Sequence, residues 1–342
     1  MNRCCKKHST NCTSSRPVDW TRFVKLISGN ERFLVTTHIR PDCDGLGSAI
    51  AMAQALEHLN KEVVVVTGFE TPPNLAFLDP DKRIKRIGTD IQIEQLQSID
   101  AVVVLDTSAW AQLGDMCDFI RTTKAIKIVL DHHVNEDEIG AEVFKNSEAA
   151  ATGRLVVEAM DHLNVTITPD IATPLFAAIA TDSGWFRFKS TSETTYLTAA
   201  RLVKVGAEPD KIYQMLYEKE TLARLRLTGR VLDRAKTDLD GRLIYTWIEL
   251  GDFEETGAMA SDTEDLINLT LKVDGVDAAF ILVEQATGGF KISFRSRCKL
   301  DCCQLAKKFG GGGHKAAAGA MIHQPLAVAR ATLLESLKAE MQ

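Results

Sequence analysis

The sequence predicts an α/β protein with a doubly wound, mostly parallel sheet in its N-terminal domain, a helical linker and a smaller C-terminal α+β domain. Three observations carry this. Short runs rich in valine and leucine, such as 62–67 and 101–105, read as strands buried on both faces. Segments of helical periodicity alternate with them, as right-handed crossovers require. Past residue 240 the pattern becomes strands joined by a glycine turn.

In order, residues 1–16 form a polar, disordered tail, and Cys4, Cys5, His8 and Cys12 within it match no standard zinc spacing. A helix over 17–28 places Trp20, Phe23, Val24 and Ile27 on one face. Strand 33–37 runs into loop 38–44, and helix 45–59 follows with Leu46, Ile50, Ala53 and Leu56 at helical spacing. Strand 62–67, a short strand 83–87, a short helix 91–96 and strands 101–105 and 125–130 complete the sheet. Helices are expected over 150–163, 170–180, 193–205, 209–216 and 221–236, with no clean strand between 146 and 240. The last third holds strands 243–249 and 278–285, and Gly288-Gly289 turns into strand 291–296. A helix over 300–309, a strand over 316–322 and a closing helix over 326–341 follow. The expected division is a tail 1–16, a catalytic domain 17–205, a linker 206–225 and a substrate domain 226–342.

With 342 residues there is room for two domains, and 45% hydrophobic and 25% charged residues suit a globular chain. A net charge of −6 gives no basic field for long duplex DNA. No apolar stretch reaches the roughly 20 residues of a membrane span. The polar, basic N-terminus is not a signal peptide, so the eight cysteines are expected as reduced thiols in the cytoplasm.

The chemistry gathers where apolar segments stop. Strand 33–37 runs into His38-Ile39-Arg40-Pro41-Asp42-Cys43-Asp44, strand 101–105 into Asp106, and strand 125–130 into Asp131-His132-His133. A fourth apolar stretch, 174–180, runs into Thr181-Asp182-Ser183 and is grouped with these strand ends, within a span that looks helical. Open α/β sheets place their sites at such ends. Any one of these residues has a plainer explanation, since a strand-terminal Asp such as Asp44 or Asp106 often only caps the next helix. Four clusters in one domain do not. Pro41 stiffens the first loop, and Gly45 and Gly47 allow close backbone approach. Mixed Asp and His donors without a thiolate pair suit Mn2+, with Co2+, Mg2+ or Zn2+ as alternatives. His38, Asp42, Asp44, Asp106, His132 and Asp182 are too many for one ion and enough for two sharing a carboxylate, the arrangement that activates water for in-line attack on phosphorus.

Near the C-terminus, Phe309-Gly310-Gly311-Gly312-Gly313-His314 exposes backbone N–H groups that can cradle an anion, with small residues 316–319 beside it. Arg295 and Arg297 share one strand face and can reach a phosphate. The alternative is a flexible loop beside a solvated basic strand.

These motifs resemble the DHH phosphoesterase family, in its branch with a C-terminal DHHA1 domain, over about 20–325. The resemblance implies one Mn2+ on His38, Asp42 and Asp106, and a second on Asp44, Asp106, His132 and Asp182. It implies that Asp131 orients a histidine, that His133 sits by the scissile phosphate, and that Arg295, Gly311, Gly312, Gly313 and His314 hold the substrate in a cleft between domains. The compact size resembles the bacterial nanoRNases that also dephosphorylate adenosine 3′,5′-bisphosphate (pAp), and residues 181–188 resemble their fourth motif. There Trp185 and Phe188 either stack a base or fill the core. Short RNA and pAp are the expected substrates, without a membrane partner, and a homodimer is compatible by analogy. Alternatives on the same site are a linear or cyclic dinucleotide phosphodiesterase and a RecJ-like single-strand exonuclease.

Overall fold

The computed structural model describes residues 17–134 and 136–341. The tail with Cys4, Cys5, His8 and Cys12 lies outside the described residues. The chain divides into two compact units, Met1–Glu218 and Lys219–Gln342.

The first unit runs α1 (Trp20–Ser28), β1 (Arg32–Thr36), α2 (Cys43–His58), β2 (Glu62–Thr67), β3 (Ile84–Arg86), β4 (Ala101–Leu105), α3 (Met116–Thr122), β5 (Ile126–Asp131), β6 (Glu142–Lys145), α4 (Thr152–His162), α5 (Pro169–Asp182), α6 (Glu193–Val205) and α7 (Pro209–Tyr217). Its sheet has the order β3-β2-β1-β4-β5-β6, and every neighbouring pair is parallel. The chain therefore starts in the middle, moves to one edge, returns to lay β4 beside β1, and continues to the other edge. Strand order reverses between β1 and β4. At that switch the two outgoing loops diverge and open a crevice at the carboxyl ends. β4 can sit at this centre because all five of its residues are apolar and buried, one set facing each layer of helices.

β6 is not among the expected strands. It is a four-residue edge strand in which only Phe144 is buried, so it leaves no apolar run to read. The fourth motif also differs from its grouping with strand ends: Asp182 ends a helix, α5. α5 packs against α2, α4 and α6, so most of its surface is buried and its sequence looks as uniformly apolar as a strand. Gly47 makes this packing possible, because a Cβ there would lie 2.4 Å from the carbonyl oxygen of Pro174. The first turn of α2 and the last turn of α5 thereby reach the same crevice.

The second unit runs α8 (Leu222–Asp233), β7 (Lys236–Asp238), β8 (Leu243–Ile248), α9 (Leu250–Thr256), α10 (Leu266–Thr270), β9 (Ala278–Glu284), β10 (Phe290–Ser296), α11 (Cys302–Lys307), β11 (Gly312–Gly313), β12 (Ala317–Ile322) and α12 (Leu326–Met341). Its mixed sheet has the order β11-β12-β10-β9-β8-β7, with β8 and β9 parallel and the other pairs antiparallel. Phe280, Ile292 and Phe294 pack on one side with Leu333 and Leu337 of α12, and Ile244 and Ile281 pack on the other with Leu227 and Val231 of α8. Three-residue β7 falls inside the span expected to be free of strands, and α9 and α10 are too short to leave a period. The stretch expected as linker is mostly helical and shared out: α7 sends Ile212 into the first core, and α8 belongs to the second.

Replacing Gly47 with Ala is expected to lower stability by about 1–3 kcal/mol, because backbone on both sides must move apart. Urea denaturation measures this; an unchanged midpoint would mean that α2 and α5 are not held against each other.

Candidate metal centre

Loop 38–44 begins where β1 ends. His38 donates its Nδ1–H to the Ile39 carbonyl at 2.9 Å, which turns Nε2 toward the carboxylates. That Nε2 lies 3.3 Å from Asp106 Oδ2 and 3.6 Å from Asp42 Oδ1. Asp42 caps α2, accepting the Gly45 N–H at 3.0 Å. Gly45 has to be small, since a Cβ there would lie 2.8 Å from His38 Nε2.

Asp44, one turn into α2, is buried. Its Oδ2 accepts the Thr152 N–H at 2.7 Å and its Oδ1 the Gly153 N–H at 2.8 Å. The N–H groups at the start of α4, which have no partner within the helix, thus hold a carboxylate, the usual anion site of a helix N-terminus. Asp106 follows β4 with a left-handed backbone (φ 62°) and is also buried. Its Oδ2 faces His38, while its Oδ1 takes a 2.8 Å hydrogen bond from the Thr152 hydroxyl and lies 3.6 Å from His132 Nε2. Nε2 of His132 is also 3.4 Å from Asp182 Oδ2 and 3.8 Å from Asp44 Oδ2, and its Nδ1 is 3.1 Å from the Ala149 carbonyl.

Donor atoms therefore gather in two sets: His38, Asp42 and Asp106, and Asp44, His132 and Asp182. Asp106 turns one oxygen to each set. A third grouping joins Asp106, His132 and His133. His133 is otherwise held by Asp131, whose Oδ1 is 2.8 Å from its Nδ1 and accepts its backbone N–H at 3.0 Å. The other oxygen of Asp131 takes the Ser108 hydroxyl at 2.7 Å and lies 3.4 Å from Lys145 Nζ.

Protonation reflects this crowding. Burial, then repulsion from Asp106 and Asp182, pushes the Asp44 carboxyl well above the usual range. Burial raises Asp182 as well, against the pull of His132. Burial disfavours the His38 cation, but hydrogen bonds to Asp106 and Asp42 outweigh it and hold its pKa at about 10. The Asp131 hydrogen bond raises His133. Asp131 resists burial through His133 and Ser108 and sits at about 2. The proton on His38 thus offsets charge that a divalent cation would neutralise better. Oxygen and imidazole donors without thiolate fit Mn2+, Mg2+, Co2+ or Zn2+.

All six expected ligands meet here. Thr152 and Gly153, which hold Asp44 and Asp106, and Lys145, which lies beside Asp131, are not among the residues expected from the sequence; a Thr-Gly pair opening a helix is the signal that could have pointed to the first two. The aromatics of the fourth motif divide. Trp185 packs at 4.8–6.3 Å from Tyr213, Tyr217 and Phe176, whereas Phe188 is 55% exposed.

In the second unit the glycine run is a strand approach. A Cβ at Gly311 would lie 2.1 Å from the Gly319 carbonyl oxygen, and one at Gly313 2.6 Å from Ala318 Cα, while Gly312 has open space. Exposed His314 donates its N–H to the Ala317 carbonyl at 2.7 Å, and Ala317 lies cross-strand from Arg295. Arg295 and His314 therefore share one end of that sheet.

The DHH family, N-terminal domain, matches residues 32–179, and the DHHA1 domain matches 240–342. The bifunctional oligoribonuclease and PAP phosphatase NrnA of Thermus thermophilus is 29% identical over 84% of this chain and 83% of its own length. The Bacillus subtilis protein of that name is 25% identical over 89% and 93%. The cyclic-di-AMP phosphodiesterase PdeA of Listeria monocytogenes is 27% identical over 85% of this chain but only 44% of its own. A crystal structure of an exopolyphosphatase-related protein from Bacteroides fragilis shares the fold, with TM-score 0.79, 24% identity and coverage of 94% and 95%.

Asp182→Asn is expected to leave the metal-free protein as stable as wild type or slightly more so, by relieving repulsion, and to abolish stabilisation by added Mn2+. Wild type should gain roughly 2.7 kcal/mol at a hundredfold excess over the dissociation constant. Thermal melts in chelator and in Mn2+ measure both; an equal Mn2+ shift in the variant would remove Asp182 from the ligand set.

Proposed function

The chain belongs to the DHH phosphoesterases that carry a DHHA1 domain, and from that premise we propose that it hydrolyses very short oligoribonucleotides to mononucleotides and removes a phosphate from pAp. The observation that carries this reading is Asp106 turning one oxygen to each of two donor sets at the sheet's switch point. The relatives named for both activities extend over most of their own length in this chain. Both reactions break a phosphate ester beside a nucleoside, so one centre serves both.

His38, Asp42 and Asp106 would hold one divalent ion, and Asp44, Asp106, His132 and Asp182 another, with Mn2+ the best match to the donors. When bound, such ions neutralise a phosphate and acidify the attacking water. The protein's own groups do the rest. Thr152 and Gly153 aim Asp44 and favour its ionised form, opposing the burial and repulsion that raise its pKa. Asp131 accepts from His133 Nδ1, so the half-exposed imidazole presents Nε2 to the crevice, where it can donate to a phosphate or leaving-group oxygen. Arg295, Gly311, Gly312, Gly313 and His314 are proposed to hold the substrate from the DHHA1 domain. A linear dinucleotide is the shortest oligonucleotide, so the second reading, a dinucleotide phosphodiesterase, overlaps the first and has support from the Listeria relative.

Assayed with Mn2+ against a dinucleotide, a pentanucleotide, a long single strand and pAp, the protein is expected to favour the short substrates and pAp, and Asp106→Asn to be inactive. Dominant activity on the long strand would replace this reading with a RecJ-like exonuclease. Asp131→Asn is expected to cost roughly 10–100-fold in turnover while keeping the Mn2+ stabilisation; unchanged kcat would free His133 of any need for its partner.

A further inference from the structure

Beside the carboxylates lies a cavity of about 360 Å3 whose inner wall includes Asp44 and Asp182. Its remaining surface is different in kind. Pro41, Pro72, Leu75 and Leu216 give it apolar walls, and Asn74 and Tyr217 stand at its edge. None of its lining side chains is basic, so a phosphate gains nothing by entering beyond the carboxylates. A flat, apolar-faced group with polar edges suits it.

Tyr217 is 46% exposed, yet it is braced from behind. Its ring lies 4.9 Å from Tyr213 and 5.9 Å from Trp185, and Trp185 is 4.8 Å from Tyr213. Trp185 reaches this position only through a left-handed backbone at φ 55°, flanked by Gly184 and Phe186 at 58° and 62°. Three successive residues in that region are costly for a chain with side chains. What they achieve is to turn the indole from the end of α5 onto α7. A rigid aromatic wall thus stands beside the donor set of Asp44, His132 and Asp182. On the opposite side of Asp42 lies a second cavity of about 350 Å3, lined by Thr107, Ser108, Gln112 and His133. Asp42 therefore borders two separate recesses, which gives the two arms of a nucleotide ester separate places beside the cluster.

We propose that the recess between Pro72 and Tyr217 is a nucleobase subsite, in which the base of the nucleotide at the metal centre stacks on Tyr217 and meets the Asn74 amide at its edge. This deepens the hydrolase reading above and rests on it for the identity of the ester.

Two measurements on the full-length Mn2+ protein test it. The first is hydrolysis of an adenine dinucleotide and of the same compound with one or the other base removed. Tyr217→Ala should raise KM for the intact dinucleotide roughly tenfold, with kcat little changed. It should lose nothing further on the abasic compound that leaves the recess empty, and Tyr217→Phe should restore KM. The second is the fluorescence of 2-aminopurine ribonucleoside 5′-monophosphate. Wild type and Tyr217→Phe should quench it, and Tyr217→Ala should not. Turnover with KM and quenching indifferent to Tyr217 overturns the subsite alone. Tyr217-dependent quenching without turnover of any nucleotide supports the subsite and overturns the hydrolase.

Discussion

Repulsion among three carboxylates organises the first unit. Asp44, Asp106 and Asp182 point into one crevice, and two of them are buried. Left to themselves they would separate or take up protons, and the raised positions of Asp44 and Asp182 record that tendency. Elements around them oppose it in different ways. The start of α4 supplies backbone donors to Asp44. Thr152 ties Asp106 to the same helix end. Close contact of α2 with α5 through Gly47 keeps the two outer carboxylates from drifting apart. The fold thus holds negative charge together at donor sets that could take a cation.

How much of this the sequence discloses depends on what each residue does. The donor residues at strand ends were legible because burial on both faces makes β1, β4 and β5 largely apolar runs, and the polar break at each end stands out. Asp182 was legible as a member of the cluster but not as the end of a helix, because α5 is buried almost all round and loses the polar face that marks a helix. β6, β7, α9 and α10 were not legible: each is too short or too half-exposed for a period to form. Gly153 and, in part, Thr152 escaped notice because they act through main-chain N–H groups, which every residue carries. Tyr217 escaped because its relation to the crevice is tertiary, reaching from a helix far along the chain.

The second unit teaches a related point about glycine. A run of four beside a histidine invites a reading as an anion cradle. Two of the four are glycine for another reason, since Gly311 and Gly313 press against β12 where no Cβ fits. Gly310 and Gly312 have open space beside them, so packing does not require their small size, although Gly310 takes a left-handed backbone at φ 71°. Steric necessity and open space therefore alternate in one short segment.

The left-handed backbone at Asp106 has a consequence for how this site can change over time. Among residues with a side chain, aspartate and asparagine enter that conformation most readily, because their short polar groups bond locally. Of that pair only aspartate carries a negative charge, with one oxygen turned to each donor set. Glutamate, the exchange that chemistry alone would tolerate, fails on conformation, and glycine, the exchange that conformation alone would favour, fails on chemistry. Two unrelated filters thus leave a single occupant. Drift at the surrounding positions can retune the crevice, whereas this position offers no intermediate step, and a descendant that loses it has no nearby route back to the same arrangement.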